Sequence, residues 1–449
     1  MSEGRPSQVR QGAAFPPSLW AATAIAPPAT GALDGQKRAD IAIIGAGYTG
    51  LSAAIHLAEG GCNVVVVDAT GPGWGASGRN NGQVIPGLKF DPDEIERRVG
   101  HDIGRRMVLW AGNAPSLVFD LIEKFHIECA PVRNGWIQPA YTRQSVAVIE
   151  SRCAQWAARG ADVRMIPAKD LPAMLGTPAF FGGWFDSRGG SIQPLSYARG
   201  LAHAARSLGV EIYTETAVRR LERGNSGWRL RTDHGGIAAA RVIVATNAYS
   251  GALVPGLEQS VVPVRTAQVA TRPLSENLLK TILPGRQVAS DTRRLLTSFR
   301  ISPDNRLVMG GSGATGGEHR ISLERYLHAA GAELFGHLAD LEWEYGWSGH
   351  LAVTADHVPH IHEPDPSMLV SLGCNGRGIA LSTAMGKLLA ERFLGKRAED
   401  MELGISRIRP YAFHGLRNIG IAAATWWKRM QDRHERVRSL KSRKSRDAS

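Results

Sequence analysis

The stretch ADIAIIGAGYTGLSAAIHLAEGGCNVVVVDA, Ala39 to Ala69, constrains the fold more than any other part of the chain. Two short apolar runs flank a segment in which Leu51, Ala54, Ile55 and Leu57 recur at helical spacing, which predicts a strand, a helix and a second strand. Gly45, Gly47 and Gly50 stand at the first turn as G-x-G-x-x-G, and Asp68 ends the second strand. Gly45 permits the tight turn, Gly47 lets backbone approach a pyrophosphate, and Gly50 lets the helix lie close to the strand. The unpaired N–H groups of the first helical turn then face the phosphates. Asp68 is set to accept from ribose hydroxyls. Alone, the glycine spacing is a weak signal; with strand, helix, second strand and terminal acid in place, it predicts a dinucleotide site.

A domain for NAD would continue directly into further alternating strands and helices. This chain instead enters GPGWGASGRNNGQ, Gly71 to Gln83, and then a polar segment of helical character, Asp93 to Phe125. Strand and helix patterns of the first kind return at Gln193 to Arg223, at Gly227 to Ser250 with a hairpin turn at His234 to Gly236, and at Ser367 to Gly395. The expectation is an α/β, Rossmann-like cofactor domain interleaved with a mixed-sheet substrate domain, α+β overall. Its parts are residues 39–95, 193–257 and 346–400 for the cofactor domain, and 96–192 and 258–345 for the substrate domain. Residues 1–38 form an N-terminal extension and 401–449 a C-terminal helix and basic tail.

A chain of 449 residues with 43% hydrophobic content can bury a core for two or three domains. Cys62, Cys129, Cys153 and Cys374 are widely spaced, without a C-x-x-C pair, which argues against a disulfide framework or a zinc site and for a reducing, cytoplasmic setting. No apolar run is long enough to cross a bilayer. The net charge of +12 would invite nucleic acid, but residues 428–449 alone hold nine Lys or Arg against three acids, half of the excess. Nucleic acid is therefore not expected as a partner. The preceding segment, Ile419 to Met430, carries Trp426 and Trp427 and reads as a short helix docked on the body; a helix lying in a membrane interface is the rarer alternative. The last ten residues read as a solvated tail.

The order of G-x-G-x-x-G, a terminal acid, GWGASGRNNGQ, ATNAYS, WSGHLAVTADHVPHIHE and GCNGRGIA resembles the FAD-dependent amine and amino-acid oxidoreductases of the D-amino-acid oxidase superfamily. SLWAATA, GWIQPA, GGWFDSRGGSIQPLSYARGLAHAA and SDTRR extend the resemblance to the gamma-glutamylputrescine oxidase branch. It implies FAD as cofactor, contacted by Gly45, Gly47, Tyr48, Thr49, Gly50 and Asp68, by Gly75, Ala76, Ser77, Arg79 and Asn80, by Val218 at the adenine, by Asn247, and by Gly376, Arg377, Gly378 and Ile379 at the flavin. Ser77, Arg79 and Asn80 would donate to phosphate and ribityl oxygens. The helix opened by NGRGIA would direct its positive end at the flavin pyrimidine edge.

Two departures bear on the cofactor and the substrate. Where some relatives attach FAD through cysteine, this chain has Gly349, and Gly71 to Gln83 holds no histidine, so noncovalent FAD is expected. Cys374 stands where the named branch more often has tyrosine. The implied reaction moves hydride from the carbon of an amine, gamma-glutamylputrescine-like or an N-substituted amino acid, to flavin N5, leaves an imine that water hydrolyses to aldehyde and ammonia, and uses O2 as acceptor. No nucleophile–base triad is needed. Arg300, in a hairpin between Leu295 and Gly311, is the candidate for gripping a substrate carboxylate, with an outward-facing strand arginine as the equal alternative. His350, Gln268 and Arg265 are further candidates; Asp186 and Asp356 read as loop-tying acids, and no metal site is expected. The rival readings are a quinone-linked flavin dehydrogenase acting on D-amino acids or another amine, and a non-enzymatic FAD-binding regulator.

Overall fold

The strand Gly35–Ile44 runs through the middle of a nine-stranded sheet, paired in parallel with Gly235–Val244 on one side and Val64–Val67 on the other. This is a computed structural model, and it describes residues 9–314, 320–336, 341–412 and 414–447. Ile41 and Ile43 join Val64 and Val66 in the core on one face of that sheet, while Ala42 and Ile44 join Val65 and Val67 in the core on the other. Burial on both faces is what unbroken apolar strands require. Glu211–Tyr213 extends the sheet beyond Val64–Val67, and Met368–Leu372, His360–Asp365 and Ile405–Ser406 extend it beyond Gly235–Val244.

The helices Tyr48–Glu59, His101–Lys124, Pro194–Ser207 and Gly378–Phe393 contribute to one core on a single face of this sheet. Helix Gly378–Phe393 packs directly on both Tyr48–Glu59 and His101–Lys124. The expected hairpin after Gly227 is present, with a difference. Gly235–Val244 is one continuous strand whose first half pairs antiparallel with Gly227–Arg231 while its whole length lies beside Gly35–Ile44.

A second sheet has eight strands in the order Trp343–Val353, Val262–Thr271, Leu307–Ala314, Thr297–Ile301, Val288–Ser290, Trp136–Pro139, Gly183–Asp186, Val163–Ile166. It is antiparallel except where Val288–Ser290 meets Trp136–Pro139, and helix Arg320–Phe335 covers its own core. The strand at its edge, Trp343–Val353, leads directly into the strands of the first sheet.

The C-terminal segment is longer and more regular than the sequence reading gave: one helix, Arg417–Asp447. It continues through the basic tail because one face has partners on the body. Asp432 accepts from the Arg294 backbone N–H (3.1 Å) and side chain (2.9 Å), and Glu435 pairs with Arg294 (2.6 Å). Arg436 donates to the carbonyls of Tyr141 (2.7 Å) and Ala179 (2.8 Å), and Ser439 accepts from the Arg143 N–H.

Candidate cofactor and substrate site

A cavity of about 840 Å³ lies between the two sheets, lined by the G-x-G-x-x-G turn, the loop after Ala69, the 246–253 segment, strands Val262–Thr271 and Trp343–Val353, the 374–378 loop and the C-terminal helix. Gly45 has φ +110°, a conformation that a side chain disfavours, and its peptide N–H donates to the Val67 carbonyl. Gly50 does not reach the cavity: an added Cβ would stand 1.9 Å from the Gly45 carbonyl oxygen, so its absence lets the helix sit against the turn.

Of the sequence-predicted cofactor residues, Gly45, Gly47, Tyr48, Thr49, Asp68, Gly75, Ala76, Ser77, Arg79, Asn80, Val218, Asn247, Gly376 and Gly378 line this one cavity. Gly50, Arg377 and Ile379 lie behind its wall. Arg377 donates to the Pro86 carbonyl and stacks over Trp136.

Several of these side chains have other duties than the expected ones. Asp68 accepts from the Ala46 N–H (2.8 Å), the Thr70 N–H (2.9 Å) and the Thr70 hydroxyl (3.0 Å); burial raises its carboxyl above the usual range and these bonds oppose the rise. The Gly71 N–H also holds this carboxylate, so the about four donor directions of Asp68 are taken by the turn's own groups. Ser77 Oγ accepts from the Tyr48 N–H (3.1 Å) at the helix N-terminus, which leaves its own proton to donate toward a phosphate. Asn80 is spent on the loop: its amide nitrogen donates to Ser77 O (2.8 Å) and Ala76 O (3.1 Å), and its oxygen accepts from the Gly82 N–H (2.8 Å). Arg79 is buried, with Nε on Trp74 O (2.8 Å) and its guanidinium 4.2 Å from the Trp74 ring centroid. Asn247 joins two segments, accepting from the Gly373 N–H (3.0 Å) and donating to Cys374 Sγ (3.6 Å).

The substrate candidates separate. Gln268 and His350 line the cavity; Arg300 and Arg265 do not. Arg300 is 1% exposed, and its Nη1 donates to the carbonyls of Gly82 (2.9 Å) and Ile192 (2.6 Å) beneath the glycine-rich loop. Those carbonyls occupy the group that would grip a carboxylate. Arg265 donates to Ser348 Oγ (2.8 Å) inside the sheet. Asp186 ties the loop to Arg188 (2.6 Å), and Asp356 bonds His360 (3.1 Å).

Sequence reasoning named Gln268 but missed its neighbours at the two ends of the cavity. At the buried end, Asn81 donates to Gln268 Oε1 (3.2 Å), and Asn81 Oδ1 is buried without a hydrogen-bond partner among the described residues. Gly310 makes room for the group: a Cβ there would meet Gln268 Oε1 at 2.0 Å, Ser298 Oγ at 2.8 Å and Asn81 Nδ2 at 2.9 Å. At the exposed end stand Lys89, Arg294 and Lys428, with Ile421, Ala424 and Thr425 of the C-terminal helix. Desolvation by the surrounding chain, with Arg377, Lys428 and Arg152 nearby, lowers Lys89 to about 8 although much of the residue is exposed, and burial with Lys89 and Lys428 lowers His357. Asp68 is the one acid among the described lining residues.

The residues fit the cofactor: glycine backbone at a helix N-terminus, a Ser77 proton free to donate, and a continuous cavity from Val218 to the 374–378 loop. Residues 40–392 match the family model described as FAD dependent oxidoreductase. The chain belongs to that family, and it is an FAD-dependent oxidoreductase. It is 31% identical over 384 residues to the gamma-glutamylputrescine oxidoreductase of Escherichia coli, covering 85% of this chain and 89% of that protein. It is similar to the glycine oxidase of Geobacillus kaustophilus, at 27% identity over 368 residues covering 79% of this chain and 92% of that protein. The crystal structure of glycine oxidase from the same organism superposes with a TM-score of 0.68 at 25% identity, over 80% of this chain and 96% of that one.

Proposed function

We propose that this enzyme oxidises the C–N bond of an amine whose far end carries a carboxylate, a gamma-glutamylputrescine-like substrate, to an imine that hydrolyses to the aldehyde, with O2 as acceptor and FAD held noncovalently. The observation that carries the reading is the polarity of the cavity. Its buried end offers neutral amides, Asn81 and Gln268, while its exposed end carries Lys89 and Lys428, with Arg294 beside them paired to Asp432 and Glu435. An α-amino acid brings its carboxylate next to the reacting carbon and would need a cation at the buried end, where Arg300 is already bound to Gly82 and Ile192. The similarity to the E. coli gamma-glutamylputrescine oxidoreductase supports the same substrate class.

When bound, FAD supplies the two-electron acceptor for the carbon beside the nitrogen. The chain's own residues orient the amine and keep it neutral. Asn81 Oδ1 is an acceptor for an amine N–H, and a buried end with no acid favours the uncharged amine over the ammonium. Lys89 and Lys428 draw the distant carboxylate to the other end, which fixes which carbon reaches the reacting position. A cytoplasmic setting belongs to the same reading, supported by four cysteines that form no disulfide. A quinone acceptor is the second reading, favoured by the C-terminal helix in the cavity wall; oxygen consumption with peroxide release excludes it.

The test is a pH profile. Lys89 carries its charge below about 8 and loses it as pH rises, so kcat/KM for a carboxylated amine should fall above that pH relative to Lys89→Gln, in which this limb disappears. Lys89→Gln should raise KM for the carboxylated amine about tenfold and leave KM for the same amine without its carboxylate unchanged. Equal effects on both amines contradict the assignment.

A further inference from the structure

The helix Arg417–Asp447 begins after the last residue matched by the family, and only one of its faces is used by the body. At about 100° per residue, Asp432, Arg436 and Ser439 share the inward face, where each is at most 9% exposed. Ile419, Trp426, Trp427, Met430 and Val437 share the other face, and they are 70%, 62%, 58%, 46% and 46% exposed. Two adjacent tryptophans more than half exposed on one helix are unlike scattered surface apolar residues. Toward the C-terminus the same outward face carries Arg433, Arg438 and Lys441, all exposed. Asp432 and Glu435 point the other way and bind Arg294.

From this separation we infer that the outward face of the C-terminal helix docks on an anionic lipid surface, with Trp426, Trp427, Ile419 and Met430 at the headgroup boundary and Arg433, Arg438 and Lys441 on the phosphates. Aromatic and aliphatic side chains beside exposed basic ones are the pattern of a helix lying in the interfacial plane. Among the described residues no helix is long and apolar enough to cross a membrane, so the contact is peripheral. A second copy of the chain fits the face poorly: two-fold pairing of the same patch would set Arg433, Arg438 and Lys441 against their own equivalents with no acid to compensate. A nucleic acid would leave the apolar half uncovered. The inward face of the same helix lines the cavity through Ile421, Ala424, Thr425 and Lys428, so docking sets the cavity's exposed end beside the lipid surface.

The experiment uses the full-length holoenzyme with phosphatidylglycerol and phosphatidylcholine vesicles, read by co-sedimentation and by the tryptophan emission maximum. Binding to phosphatidylglycerol vesicles, a blue shift, and little binding to phosphatidylcholine are expected, with loss at high salt. The pair Trp426→Ser and Trp427→Ser, and separately Arg433→Gln with Arg438→Gln and Lys441→Gln, should each lower the partition coefficient about tenfold. FAD content should stay unchanged in both variants, which shows that they remain folded. Absence of binding to phosphatidylglycerol vesicles, or equal binding by both variants, overturns the inference. So does conversion of a dimer to a monomer by the tryptophan pair in sedimentation velocity, which would assign the face to a second copy.

Discussion

Arg300 shows how far residue type alone carries a functional reading. An arginine in a hairpin of the substrate sheet is a natural carboxylate grip, but hydrogen bonds to Gly82 and Ile192 make it a staple for the loop that borders the cofactor. Neither carbonyl is marked by any local pattern, so the sequence could not show the capture. Arg79 and Asn80 follow the same logic: their partners include the loop's own carbonyls, and the glycines around them shape that loop. Arg300→Met should lower stability by about 1.5–3 kcal/mol per lost charged hydrogen bond, seen in urea unfolding, while KM changes little. A large rise in KM with unchanged stability would return Arg300 to the substrate. Asn81 and Gln268 lie 187 residues apart in sequence and meet only through the fold; the small Gly310 beside them was the available signal.

The element legible from sequence was the first strand–helix–strand unit, because its signals are local: a turn that needs φ +110° at Gly45, a close approach at Gly50 and unbroken apolar strands buried on both faces. Gly50→Ala would drive a Cβ to 1.9 Å from the Gly45 carbonyl and push helix Tyr48–Glu59 off the turn. The expected outcome is FAD affinity lower by about tenfold or more, read as the flavin-to-protein absorbance ratio after dilution; full FAD occupancy at native affinity contradicts the account. The C-terminal helix was legible only in its apolar half. Its continuation depends on Arg294, Tyr141 and Ala179, which the sequence gives no reason to bring alongside.

At the scale of the whole molecule, a parallel-centred sheet and a largely antiparallel sheet meet along one continuous cavity, and the proposed substrate end lies against the second. The interleaved α/β architecture was readable because strand–helix patterns recur at three separated places along the chain. The cavity's polarity was not, since the lysines at its exposed end come from residues 89 and 428 and the neutral amides at its buried end from 81 and 268. Anaerobic mixing of the FAD-loaded enzyme with candidate amines reads that polarity out. Bleaching of the flavin absorbance by a gamma-glutamylated diamine, with glycine, N-methyl amino acids and D-amino acids leaving it yellow, is the predicted result. Bleaching by an α-amino acid while the gamma-glutamylated diamine has no effect would contradict it.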